Sequence, residues 1–172
     1  HTRFRNVTGV QTCALPILPY NVATPIVMRI LEEVPTITRL LVMVQREVGE
    51  RMAAGVGGKE YGAVSVRIAF HGSARMVGTV PPSVFLPPPK VDSALVRIDR
   101  HAAPPVVVPS YAALEAVVAA GFGQRRKMLR RALVPLLGDR TLAVLEAAGV
   151  DPAARAETLD LAAFAALARA AA

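Results

Sequence analysis

The sequence predicts an α/β fold followed by a small all-helical region, and three observations carry this prediction. A β-branched, apolar run at 37–45 passes directly into a helical pattern at 46–55, the order of strand and helix in a layered sheet. Two shorter alternating runs, 74–82 and 92–100, flank a proline-rich loop. From residue 110 onward alanine, leucine and arginine dominate between glycine breaks, which is typical of packed helices.

Each element follows from its local pattern. Pro25 suits the first turn of a helix, with Thr24 as its N-cap, and Pro35 ends that helix. The run at 37–45 predicts a strand buried on both faces, because it is apolar throughout. The segment 61–72 fits either a strand or a helix. The runs 74–82 and 92–100 predict two antiparallel strands at the edge of the sheet.

Composition limits the kind of protein. The net charge is +7 and the pI is near 10.5, a balance that favours an anionic partner such as nucleic acid. Cys13 is the only cysteine, so a disulfide framework and a cysteine-based zinc site within one chain are excluded. The three histidines are scattered and predict no metal site. No apolar run approaches the ~20 residues of a membrane span. We therefore expect a cytoplasmic monomer.

A first candidate site is the tetrapeptide Leu18-Pro19-Tyr20-Asn21, directly before the first predicted helix. Proline has no amide hydrogen to donate, but its carbonyl accepts, and tyrosine offers a face for stacking. A flat base with an exocyclic amine requires that combination of acceptor and aromatic surface. The alternative is an ordinary strand-to-helix turn built from proline and asparagine.

A second candidate is the loop within 80–94, where two proline clusters flank Phe85 and where Lys90 and Asp92 precede a strand. A rigid backbone lowers the entropy cost of presenting one aromatic side chain to a ligand. The alternative is an edge connection in which Phe85 covers the core.

A third candidate is the basic segment at 121–131, which we expect to be helical. Its basic residues lie close together in sequence with no aspartate or glutamate between them, which favours phosphate contacts over a merely solvated helix face. Met128 and Leu129 are expected on its buried side. The five basic residues are Arg125, Arg126, Lys127, Arg130 and Arg131.

Taken together, these segments resemble one family. The motifs LPYN, QREV, PPSVFLPPPKVDSALV, FGQRRKMLRRAL and GVDPAARAETL occur in the order and spacing of the bacterial small-subunit ribosomal RNA adenine dimethyltransferases. The resemblance covers about 18–167 and corresponds to the C-terminal portion of such a protein.

The resemblance implies a fold, a reaction and roles for residues. It implies the C-terminal part of a class I, Rossmann-like methyltransferase sheet, followed by a small helical RNA-binding domain. The implied reaction transfers methyl groups from S-adenosylmethionine to N6 of two adjacent adenosines in small-subunit ribosomal RNA. Leu18, Pro19 and Tyr20 match the family's base-binding turn, in which the proline carbonyl accepts from N6 and the tyrosine stacks. Phe85 matches the phenylalanine on the other side of the base.

Two departures from the family pattern qualify these implications. Ile17 stands where the family has an asparagine, and no glycine-rich cofactor loop precedes it. Moreover, VTGVQTCALPI resembles a translated sequencing adapter. We therefore interpret residues 1–17 as a non-native junction, 18–100 as part of the catalytic domain, 101–109 as a linker and 110–172 as the helical domain. The chain by itself is expected to be inactive and poorly soluble.

Two other functions stay open at this point. A large-subunit ribosomal RNA methyltransferase of the macrolide-resistance type shares the chemistry, but it usually has Asn-Ile-Pro-Tyr and fewer prolines in the second loop. A non-catalytic RNA-binding or ribosome-assembly module would keep the basic segment and Phe85 and would lack the cofactor loop naturally.

Overall fold

The computed structural model describes the backbone of Cys13–Ala14 and the whole of residues 22–172. Within this part of the chain, four strands form one sheet in the order β1-β2-β4-β3. The strands are β1 (Cys13–Ala14), β2 (Arg39–Gln45), β3 (Gly72–Val80) and β4 (Ser93–Arg100).

The sheet is parallel at one edge and antiparallel elsewhere. β1 pairs parallel to β2, with Cys13 opposite Arg39, whereas β4 lies between β2 and β3 and is antiparallel to both. The predicted antiparallel pair is therefore confirmed, but only β3 lies at the edge. A register shift between Met76 and Gly78 interrupts the β3–β4 ladder.

Three helices cover one face of the sheet: α1 (Ala23–Glu33), α2 (Arg46–Met52) and α3 (Ala63–His71). The ambiguous segment at 61–72 is thus a helix that runs directly into β3. Its first turn is closed by Ser65, whose Oγ accepts from the Gly62 amide at 3.1 Å and donates to the Arg51 carbonyl at 2.6 Å. These side-chain bonds are the local reason for a helix here.

The core beneath these helices uses one side of β2. Leu40, Val42 and Val44 are buried, whereas the alternate residues of the strand are only half-buried. The prediction that this strand is buried on both faces is wrong, because the described helices α1, α2 and α3 pack on one face only.

Helix α1 departs from its predicted start. It begins at Ala23 after Val22, which supplies no side-chain cap, so Thr24 lies inside the helix and is not its N-cap. Pro25 does occupy the first turn, where a missing amide hydrogen costs nothing. The helix ends at Glu33, before Pro35, as predicted.

The region after residue 110 is helical, as predicted. It contains α4 (Tyr111–Gly123), α5 (Leu129–Ala132), α6 (Val134–Leu137), α7 (Thr141–Ala147) and α8 (Leu161–Ala171). Ser110 caps α4 by accepting from the Ala113 amide at 3.1 Å, and Asp160 caps α8 by accepting from the Ala163 amide at 2.8 Å. The core of these helices also includes Tyr61, which lies just before α3, and Val66 and Phe70 of α3.

A half-buried histidine lies at the junction between α3 and α4. The His71 ring lies 4.8 Å from Tyr111 and 5.2 Å from Phe70, and its Nε2 atom is buried without a hydrogen-bond partner among the described residues. Burial lowers the pKa of His71 from its ordinary value of 6.5, opposed by Glu32 and assisted by Arg100 and Arg67. The folded structure therefore favours the neutral form of the His71 imidazole.

His71 should make the free energy of unfolding depend on pH. Because the folded-state pKa is lower, the unfolded chain binds the proton more readily below pH 6.5. The contribution is complete above that value and is lost as the pH falls toward the folded-state pKa. We expect His71→Phe to flatten this part of a stability–pH profile measured by urea denaturation. An unchanged profile would show that His71 does not cause the dependence.

Candidate nucleic-acid interface

The carboxyl ends of two parallel strands and the proline-rich loop 81–92 lie at the same end of the sheet. β1 and β2 run in the same direction, so their carboxyl ends face the same edge. The loop 81–92 joins β3 to β4 at that edge, because Gln45 and Val80 both pair with Ser93. In open α/β sheets, ligands bind outside the carboxyl ends of parallel strands. The topology thus brings Phe85 to the edge toward which β1 points.

The loop 81–92 is held in one shape by its own backbone. Pro82–Val84 forms a single 3₁₀ turn, in which the Val84 amide donates to Pro81 at 3.3 Å and the Phe85 amide donates to Pro82 at 3.1 Å. Phe85 itself is half-buried. The side chains on either side of it are more open: Val84 is 62% exposed and Leu86 is 98% exposed.

Arg46 fastens this loop to the sheet. Its amide donates to the Asp92 carbonyl at 3.0 Å, and its guanidinium lies 3.7 Å from the Asp92 carboxylate. The same guanidinium donates to Glu50 at 2.8 Å, and this hydrogen bond raises the pKa of Arg46. Beside these groups lies an open cleft of about 410 Å³, whose lining includes Lys90. Lys90 and Asp92 therefore lie together at the base of the loop, with Asp92 engaged by Arg46.

The predicted base-binding turn lies outside the described residues. This applies to Leu18, Pro19, Tyr20 and the departing position Ile17. Their proposed roles stay predictions. The described chain resumes at Val22, whose carbonyl accepts from the Ile26 amide at 3.1 Å as α1 begins.

The basic segment does not form the single helix that we predicted. Helix α4 ends at Gly123, a turn follows, and α5 begins at Leu129. The Lys127 amide closes the turn by donating to the Gln124 carbonyl at 2.7 Å. Leu129 is fully buried as expected, but Met128 is 40% exposed. Gly121 and Gly123 both lie within α4, and neither has the left-handed backbone typical of a glycine that ends a helix.

The five cations of this segment are all exposed, but they are not equivalent. Arg125 donates to the Lys59 carbonyl at 2.7 Å and pairs with Glu157 at 3.2 Å, so it has a structural role. Within the described part of the chain, the other four form no ion pair. These are Arg126, Lys127, Arg130 and Arg131.

The loop at 151–157 supports the basic segment, which the sequence pattern did not predict. The Leu129 amide donates to Ala154 at 2.8 Å, and the Arg130 amide donates to Pro152 at 3.1 Å. Arg155 lies 3.9 Å from Glu157, the carboxylate that also pairs with Arg125. The motif GVDPAARAETL thus satisfies the first amides of α5 and adds Arg155 to the basic surface. Only spatial proximity reveals this link.

The described residues contain neither a metal-binding cluster nor a membrane-spanning helix. In residues 22–172, no group of three or more histidine, cysteine, aspartate or glutamate side chains could hold a metal ion. No described helix is long and apolar enough to cross a membrane.

Sequence comparison decides the family. A profile described as "Ribosomal RNA adenine dimethylase" matches residues 14–172. The chain belongs to this family. The match covers nearly the whole chain, including the loop 81–92 and the basic segment.

Curated relatives agree with this membership. The chain is 51% identical over 155 residues to "Ribosomal RNA small subunit methyltransferase A" of Acidothermus cellulolyticus, covering 89% of this chain and 53% of the relative. It is 47% identical over 167 residues to the protein of that name from Rhodococcus opacus, covering 94% and 56%. The chain therefore spans about half the length of the curated relatives it matches.

Solved structures share the fold. A dimethyladenosine transferase from Plasmodium falciparum superposes with a TM-score of 0.79 at 22% identity, covering 95% of this chain and 67% of that one. The 23S rRNA methyltransferase ErmE superposes with a TM-score of 0.65 at 24% identity, covering 92% and 64%. At these identities the likeness concerns the α/β fold alone.

Proposed function

We propose that this chain supplies the base-binding and RNA-binding elements of a dimethyltransferase that modifies N6 of two adjacent adenosines in small-subunit ribosomal RNA. The observation that carries the proposal is the placement of Phe85, on a loop fastened by Arg46, at the carboxyl edge of a parallel strand pair. The names of the relatives at 47–51% identity support the small subunit as the source of the RNA.

In this proposal, the chain's own residues bind and orient the base. The Pro19 carbonyl accepts a hydrogen bond from the N6 amine, and Tyr20 and Phe85 stack on opposite faces of the adenine. Two aromatic faces and one acceptor hold the amine in one orientation, so catalysis consists mostly of positioning. Aromatic stacking also excludes water from the reacting nitrogen.

S-adenosylmethionine is the methyl donor that the family implies, and its chemistry is to supply an electrophilic methyl group. The described residues do not fit a site for it. β2 passes directly into α2 at Arg46 without a glycine-rich turn. Gly49 of α2 serves packing instead, since a Cβ there would lie 2.9 Å from the Ala94 Cβ. We therefore infer that the methyl-donor site lies outside the described residues.

The same proposal assigns a role to each segment of the chain. The segment 18–100 forms part of a Rossmann-like catalytic domain, 101–109 is a linker, and the helices from 110 to 172 form the RNA-binding domain. Exposed cations without carboxylate partners on the turn and α5 support the last assignment. In solution we expect a cytoplasmic monomer that meets the RNA through this basic surface.

The basic surface can be tested by neutralisation. We expect Arg126→Gln with Lys127→Gln to weaken binding of a hairpin RNA carrying two adjacent adenosines. The slope of log Kobs against log salt should become less steep by about 1–2. Fewer counterions are released on binding when fewer phosphates are contacted. Fluorescence anisotropy at several salt concentrations measures both quantities.

A matched control has the same change of net charge elsewhere. Arg29→Gln with Arg140→Gln removes two exposed cations outside the basic segment and should leave the salt slope nearly unchanged. Equal slopes for both double variants would contradict a localised interface and would favour general electrostatic attraction of a +7 chain. Binding of large-subunit RNA in preference to small-subunit RNA would favour the macrolide-resistance type of enzyme.

A further inference from the structure

The side chain of Leu86 is almost completely in water. It is 98% exposed, more than any other large hydrophobic residue in the described chain, and Val84 beside it is 62% exposed. Single exposed aliphatic residues are common on protein surfaces. This one is unusual in its setting, because it follows Phe85 directly on the loop that the proposed function assigns to the base.

The backbone around Leu86 is restricted on both sides. Pro81 precedes the 3₁₀ turn, Pro82 begins it, and residues 87–89 are all proline. Each proline ring fixes one φ angle, so little conformational entropy remains to be lost when the tip meets a ligand. The position of Leu86 is thus maintained by the chain itself and not by packing of its side chain.

The chemistry around the tip fits nucleic acid better than a protein surface. Two exposed aliphatic side chains are far too few for a protein interface, which needs ~800 Å² on each partner. In contrast, proteins that distort duplexes insert single apolar side chains between base steps. Exposed Lys90 at the base of the same loop supplies a charge for the flanking phosphate.

We propose that Leu86 enters the base stack at the position left by the extruded adenosine, while Phe85 contacts the extruded base. Removing a base from a stack exposes the faces of its neighbours, and an aliphatic side chain in the gap covers them again. Leu86 therefore shifts the equilibrium toward the extruded state without touching the reacting nitrogen. It is a positioning residue, and the inference rests on the proposed function.

The test measures extrusion and affinity separately. One of the two adjacent adenosines in the hairpin is replaced by 2-aminopurine, whose fluorescence rises when it leaves the stack, and the full chain is titrated into it. We expect Leu86→Ser to reduce the extruded population about tenfold, equivalent to ~1.4 kcal/mol. The anisotropy Kd should change by less than about threefold, because affinity comes mainly from phosphate contacts.

Two further variants sharpen the result. Leu86→Phe retains a bulky apolar side chain and should keep the fluorescence rise. Leu142→Gln removes an aliphatic side chain that is 59% exposed on α7 and should change neither readout. Both positions are exposed and carry little packing, so the circular dichroism melts of all three variants should match that of the parent chain.

Each outcome bears on the inference. If the parent chain does not bind the RNA, the proposed function and the inference both fail. If it binds and Leu86→Ser extrudes the base as well as the parent chain does, the inference alone fails. The inference is also overturned if Leu142→Gln loses as much of the fluorescence rise as Leu86→Ser does. It is overturned as well if Leu86→Ser weakens RNA affinity and leaves the fluorescence rise intact.

Discussion

Phe164→Ala is expected to lower the free energy of unfolding by about 3–5 kcal/mol. Phe164 lies on α8 and is fully buried, with its ring centroid 5.7 Å from that of Phe122. Its ring also approaches α4 closely, since a Cβ on Gly121 would lie 3.5 Å from the Phe164 Cε1 atom. Truncation would leave a cavity between two helices that cannot close without moving their backbones.

The measurement is urea denaturation at constant pH, with the slope of the transition checked for two-state behaviour. Phe164→Leu keeps most of the volume and should cost less than the alanine variant. Leu142→Ala is the exposed control on α7, for which we expect a change within about 0.5 kcal/mol. Equal effects at the two positions would mean that the helices after residue 110 do not share a close-packed core.

Arg100→Leu is expected to lower the free energy of unfolding by about 2–3 kcal/mol, because it leaves several partly buried carbonyl groups without a donor. The guanidinium of Arg100, at the end of β4, donates to the carbonyls of Leu31 at 2.7 Å, Ile30 at 3.1 Å and Val34 at 3.1 Å. It also donates to Ile37 at 2.9 Å. One side chain thus caps the C-terminal end of α1, where helix carbonyls lack amide partners and a positive charge is favourable.

This cap has a consequence for the proposed site. α1 starts two residues after Asn21, so its orientation also determines where the base-binding turn is attached to the described fold. Burial lowers the pKa of Arg100, yet arginine stays protonated under all ordinary conditions.

Arg100→Lys distinguishes the effect of several guanidinium N–H donors from the effect of a positive charge alone. An ammonium group cannot reach carbonyls on both α1 and the following loop, so we expect it to recover less than half of the loss. The surface control is Arg29→Leu, whose ion pair with Glu33 is exposed and should contribute under about 1 kcal/mol. If Arg100→Leu and Arg29→Leu were equally stable, the cap would contribute nothing beyond a surface ion pair.

The α/β class, the elements with clear periodicity and the family membership could all be predicted from local pattern. Apolar alternation in 92–100 and glycine-punctuated alanine-rich stretches after residue 110 are local signals, and the structure has β4 and five helices there. The resemblance of the motifs, later matched over residues 14–172, needed only their order and spacing. Local sequence determines these features because they depend on residue type and near neighbours.

Contacts between distant segments could not be predicted in this way. Thr24 looked like a cap, but the helix begins at Ala23, two residues before the start that this cap predicts, and Ala23 is buried in the core. The cations from Arg125 to Arg131 looked alike in sequence, yet Glu157 and the Lys59 carbonyl engage only the first of them. Burial of β2 on one face likewise depends on which helices pack on the sheet.

The sequence by itself determined the fold class, the family and the residue types available to a base and to phosphates. The tertiary structure decided that Phe85 lies at the carboxyl edge of β2, that Leu86 is the most exposed apolar side chain, and that Arg100 caps α1 across the sheet. The physical reason is that strand pairing and side-chain packing join distant residues, such as Tyr61 and Leu159, which are 98 positions apart, and no local pattern encodes those partners.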